Sequence, residues 1–85
     1  MPEISRFKGL VIYMYRGDHG VAHFHVKYAE YEASIEVESE QVHGDLPRRV
    51  RASALVWARQ HRAELLENWR RAHSEEPLHR IAPLG

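Results

Sequence analysis

The hydrophobic pattern of this 85-residue chain changes period at one place, Gly44-Asp45-Leu46-Pro47. Before it, apolar and polar residues alternate; after it, apolar residues recur at helical spacing. A period-two stretch buries one face only as a strand, and a period near 3.6 only as a helix. The chain is therefore restricted to a sheet followed by a helix, an α+β domain. The expectation is an antiparallel sheet of three or four strands with one long C-terminal helix packed on one face.

Strands are expected at about 9–16, 22–28 and 31–38, with a short edge strand at 41–43. The first is apolar on both faces: Leu10, Ile12 and Met14 share one parity, Val11, Tyr13 and Tyr15 the other. One helix leaves the far face of a small sheet bare, so a dimer or hetero-complex is expected to bury the side near Val11, Tyr13 and Tyr15. In the second strand Phe24, Val26 and Tyr28 oppose His23, His25 and Lys27; in the third Tyr31, Ala33, Ile35 and Val37 oppose Glu32, Ser34, Glu36 and Glu38. A two-residue loop at Ala29-Glu30 would set Lys27 opposite Glu32, His25 opposite Ser34 and His23 opposite Glu36. Neither loop residue favours the positive φ of tight primed turns, which leaves a longer loop or shifted register open.

A single helix is expected over about 47–73, from Pro47 to the stop at Ser74-Glu75-Glu76-Pro77, with 77–85 as a tail. Val50, Ala54, Trp57, Ala58, His61, Leu65 and Ala72 fall on its core face. His61 is expected to be buried and hydrogen-bonded there; the alternative turns it toward a pocket with Tyr13 or Tyr15. His43, His73 and His79 read as exposed, without evident partners.

The chain is short enough for one domain spanning 1–85. It has no cysteine, which excludes a disulfide scaffold and thiolate metal sites and makes the cytoplasm the default compartment. The apolar run at 9–15 is far shorter than the ~20 residues that span a bilayer, so no membrane association is expected. Net charge is zero but segregated. Segment 28–45 carries Glu30, Glu32, Glu36, Glu38, Glu40 and Asp45 without a Lys or Arg, whereas 48–71 is rich in arginine. The two segments either neutralise each other within the fold or leave Arg48, Arg51, Leu55, Arg59, Arg62, Leu66 and Trp69 as a surface for an acidic protein, a second copy or RNA.

The most pointed chemistry is His23-Phe24-His25, two imidazoles on one strand face, with His19 upstream. His19, His23, His25 and Glu36 make a workable nitrogen and oxygen set for a divalent transition metal. Without metal, His23 and His25 suit general base and general acid catalysis. The structural alternative is hydrogen bonding across a wet sheet face to Glu36 and Ser34. The spacing of Gly17, His23, His25 and Glu30 matches a first cupin motif, but the chain lacks the strands for a cupin double sheet and has Val37 where a glycine is needed.

Met1-Pro2-Glu3-Ile4-Ser5-Arg6-Phe7, Met14-Tyr15, Asp18-His19, His23-Phe24-His25-Val26, Leu46-Pro47, and Trp57, His61, Glu64, Leu65, Asn68 and Trp69 together resemble the bacterial domain-of-unknown-function family 4160, over almost the whole chain. The family pattern differs in placing prolines where Val21-Ala22 stand and a glycine at Ala29. The resemblance implies a short bacterial protein with a small partner protein encoded nearby, in the manner of toxin–antitoxin pairs. The function expected is thus an interaction module in such a pair. The alternatives are a histidine-dependent RNA-cleaving toxin and a metal-binding protein using His23 and His25.

Overall fold

The computed structural model describes residues 2–85; Met1, the first residue of the opening motif, lies outside them. Five strands form one antiparallel sheet in sequence order: β1 Glu3–Phe7, β2 Leu10–Tyr13, β3 His23–Tyr28, β4 Tyr31–Glu36 and β5 Val42–Gly44. The strand beyond the expected three or four is β1, which pairs with β2 across a turn in which Lys8 and Gly9 both take positive φ, 48° and 81°. The β3–β4 register is the expected one: His23 opposite Glu36, His25 opposite Ser34, Lys27 opposite Glu32. Ala29 accepts the strained turn with φ 51°. Gly44 ends β5 at φ 111°, where a Cβ would meet the Glu32 carbonyl oxygen at 2.7 Å, so this position takes no side chain.

The long helix is two: α1 Arg48–Gln60 and α2 Arg62–Ala72, interrupted at His61. There φ is −119° and ψ 26°. The ladder is bent rather than severed, because the His61 amide still bonds Trp57 O at 3.1 Å and Leu65 N still bonds His61 O at 2.9 Å. The His61 ring packs on Trp57 and hydrogen-bonds Glu64 at 2.6 Å, the satisfied structural role expected of it. Tyr13 and Tyr15 gather around His25 instead.

Alternation in the strands and helical spacing in α1 and α2 converge on one core. Leu10, Ile12, Phe24, Val26 and Ile35 of the sheet are buried with Val50, Ala54, Trp57 and Leu65 of the helices. Trp57 lies at its centre, with ring contacts to Phe7 at 5.5 Å and Phe24 at 5.7 Å. Residues 77–85 are not a loose tail. Ile81 is buried and its N–H bonds Ile4 O on β1, while Trp57 Nε1 donates to Ala82 O. Asn68, fully buried, donates from Nδ2 to His79 O and accepts from His79 N, both at 2.9 Å. This segment covers the β1 edge that would otherwise expose unpaired backbone. No helix among the described residues is long and apolar enough to cross a membrane.

Candidate functional site

Alternation along β3 sends Phe24 and Val26 into the core and His23 and His25 to the opposite face. The turn between β2 and β3 brings the third member. Gly17 N bonds Ala72 O at the end of α2, and Arg16 donates to the carbonyls of Arg71, Ser74 and Glu76. These bonds satisfy carbonyls that a helix C-terminus leaves unpaired, and they fasten the turn to the helix. From the far side of the same turn His73 donates through Nε2 to Asp18 O and through Nδ1 to Trp69 O, both at 2.8 Å. Those two backbone bonds, to Trp69 and then Asp18, raise its pKa above the usual histidine value.

Asp18 is thereby held over the histidine pair. Its Oδ2 accepts from His23 Nε2 at 2.9 Å and His25 Nε2 at 3.1 Å, and its Oδ1 accepts from the His19 amide. Burial raises the Asp18 pKa, but hydrogen bonds from His25 and the His19 backbone, with the nearby His23 charge, outweigh it and hold the carboxyl below its ordinary value. His23 Nδ1 donates to Val21 O at 2.8 Å. Aromatic rings wall the pair: Tyr13 stacks on His25 at 5.2 Å, Tyr15 meets His25 edge-on at 4.8 Å, and Trp69 tilts over His23 at 5.0 Å. Burial, followed by the proximity of Tyr15 and Glu32, pushes the Tyr13 phenol up to about 12. The side chains of Asp18, His23 and His25 remain 23%, 16% and 21% exposed, so a small ligand can reach them.

Of the expected ligands, His23 and His25 are brought together; His19 and Glu36 are not part of the convergent set. Instead Asp18, His23 and His25 each offer one ligand atom, all within 4.8 Å of one another. His19 serves Asp18 through its backbone N–H rather than its ring. Glu36 is engaged by Ser39 Oγ and His43 Nε2, each at 2.7 Å, and these bonds hold its carboxyl below the ordinary value. His19, His23, Ser34, Glu36 and His43 do line a shallow hollow of about 230 Å³ beside the cluster. His43 and His73, expected to lack partners, both have them. Asp18 was visible in the sequence as the residue before His19, five before His23, but nothing local marks it as the carboxylate that turns inward.

Two of the four arginines on the basic helix face are paired within the fold. Arg59 forms a forked pair with Glu40, and Arg62 reaches Glu38 at 3.3 Å, joining the helix to the acidic turn after β4. Leu55, Leu66 and Trp69 are half-buried against the core. Arg48 and Arg51 stay exposed.

A family model described as Domain of unknown function (DUF4160) matches residues 9–70. That span contains the histidine cluster and most of both helices, and leaves out the opening 1–7 motif and the C-terminal segment. No curated protein and no solved structure matches the chain. The chain belongs to the DUF4160 family.

Proposed function

We propose that this DUF4160 member is a small bacterial interaction module, one component of a toxin–antitoxin-like pair, that binds a partner protein encoded nearby. The observation that supports this is the one-sided architecture. Helices and C-terminal segment cover one face of the sheet, while beside the histidine cluster on the other lie Tyr15, 42% exposed, and Val21, 63% exposed. Large apolar side chains left outside next to aromatic and histidine rings suit the centre of a protein contact.

Growth measured with and without the neighbouring gene tests the pair, and co-purification tests the contact. Expression alone is expected to arrest growth, the neighbour to relieve it, and Tyr15→Asp with Val21→Asp to abolish co-purification without changing the circular dichroism spectrum. Failure of the wild-type chain to retain the neighbouring protein overturns the reading. Histidine-dependent RNA cleavage is the second reading, favoured by two accessible imidazoles hydrogen-bonded to one carboxylate, the arrangement that orients a general base. It predicts that His23→Ala with His25→Ala ends growth arrest while the complex still forms. The charged side chain bonded to the pair is a carboxylate, Asp18, which repels a phosphate backbone.

A further inference from the structure

The geometry points to a divalent transition-metal site formed by Asp18 Oδ2, His23 Nε2 and His25 Nε2, with zinc as the ion whose chemistry fits best. Two imidazoles and one carboxylate are a zinc ligand set that leaves a fourth position open. Around a tetrahedral ion with bonds near 2.0–2.2 Å, ligand atoms stand ~3.3 Å apart. The two nitrogen–oxygen separations here, 2.9 and 3.1 Å, lie just inside that distance, and all three atoms are within 4.8 Å of one another. Occupation needs a small outward movement of side chains, not a rearrangement of strands.

The supporting contacts are those a bound ion requires. Metal-ligating imidazoles donate their second ring N–H to a carbonyl or carboxylate, which fixes the tautomer. His23 does so: Nδ1–H is given to Val21 O, which leaves Nε2, the nitrogen beside Asp18, as the one a metal would take. Asp18 is supported likewise, its Oδ1 taken by the His19 amide and its backbone carbonyl by His73, so Oδ2 alone is presented to the histidines. His25, on the same rigid strand, is set in orientation by the stacked Tyr13 ring. Beside the partly exposed cluster Tyr15 meets His25 edge-on.

The site is independent of the proposed partner and is tested on the purified chain. Zinc chloride titrated into the protein in a calorimeter is expected to bind one ion per chain. The melting temperature should climb with the logarithm of zinc concentration, as for any ligand confined to the folded state. Asp18→Asn, which preserves shape and removes the anionic ligand, should weaken binding at least tenfold, and His23→Ala with His25→Ala should abolish it. His19→Ala and His43→Ala, in the neighbouring hollow, should bind as the wild type does. Each variant's circular dichroism without zinc shows whether it is folded; if the histidine double variant unfolds, Asp18→Asn carries the test. No binding by the wild-type chain overturns the proposal. Undiminished binding in folded Asp18→Asn, or loss of binding in His19→Ala or His43→Ala, overturns it equally by placing the ion elsewhere.

Discussion

At the scale of single residues, backbone conformation and hydrogen-bond supply decide more than side-chain type. Ala29 occupies the first position of the β3–β4 turn at φ 51°, a region that costs an L-residue roughly 1–2 kcal/mol and glycine almost nothing. The turn closes there because cross-strand pairs from Tyr28–Tyr31 to His23–Glu36 determine the register, and the loop must follow. Ala29→Gly should therefore stabilise the fold by roughly 0.5–1 kcal/mol, the relief of strain being partly offset by the freer unfolded chain. Thermal unfolding should show a rise of about 4 °C in a domain of this size. Asp18 and His19 make the complementary point. Adjacent in sequence and both capable of ligation, they diverge because Asp18 is tied by its carbonyl to His73 and only its carboxylate reaches β3.

At the scale of elements, the C-terminal segment behaves as a structural piece of its own without being a strand or helix. Three side chains on the helices hold it: Trp57 through Ala82 O, Asn68 through both polar groups of the His79 backbone and Arg71 through Pro77 O. A fully buried amide that makes both bonds stabilises the packed state, and removing it leaves an N–H and a C=O to find other partners. Asn68→Ala should cost about 2 kcal/mol, read from the denaturant midpoint. Amide exchange at Ile81, whose N–H bonds Ile4 O, should accelerate more than exchange in the β3–β4 pair, because the segment loosens before the sheet opens. The bend at His61 belongs to this scale too: it has no glycine or proline, the usual causes of a break, and is fixed by contacts with Trp57 and Glu64.

For the whole molecule, zero net charge is accompanied by surface ion pairs, some within one element and some joining distant parts of the chain. Glu3 is held down to about 2 by Arg6 and by Arg80 of the C-terminal segment, and Glu67 to about 2 by Arg70, with Arg71 adding. Both folded values lie below the ordinary glutamate value of 4.5, so their contribution is fully present above pH 4.5 and is lost as pH falls toward about 2. Stability measured between pH 5 and pH 2 should fall, and Glu3→Gln with Glu67→Gln should flatten that dependence. These groups are solvent-facing, so added salt should blunt the effect.

Period alone determined the α+β class, the core faces of the helices and the shared face of His23 and His25, because alternation and helical spacing are local consequences of burying one side of each element. The β3–β4 register stayed open in the sequence and was decided in the folded sheet, with its tight turn at Ala29. The resemblance in residues 9–70 placed the family for the same reason: its motif residues are mostly those that build the core and the histidine face. What the tertiary structure decided were the places where one segment is completed by another far away. The strand β1, read only as part of a motif, is a strand because it pairs with β2 and the C-terminal segment. Leu55 and Leu66 sit at the edge of the arginine face, yet they are drawn against the core. Tyr13, expected to await a second chain, is already buried beneath His25 and Tyr15. Asp18 becomes the centre of the site only when Arg16, Gly17 and His73 fasten its turn to the end of α2, a set of hydrogen bonds between residues more than fifty positions apart that no local pattern can encode.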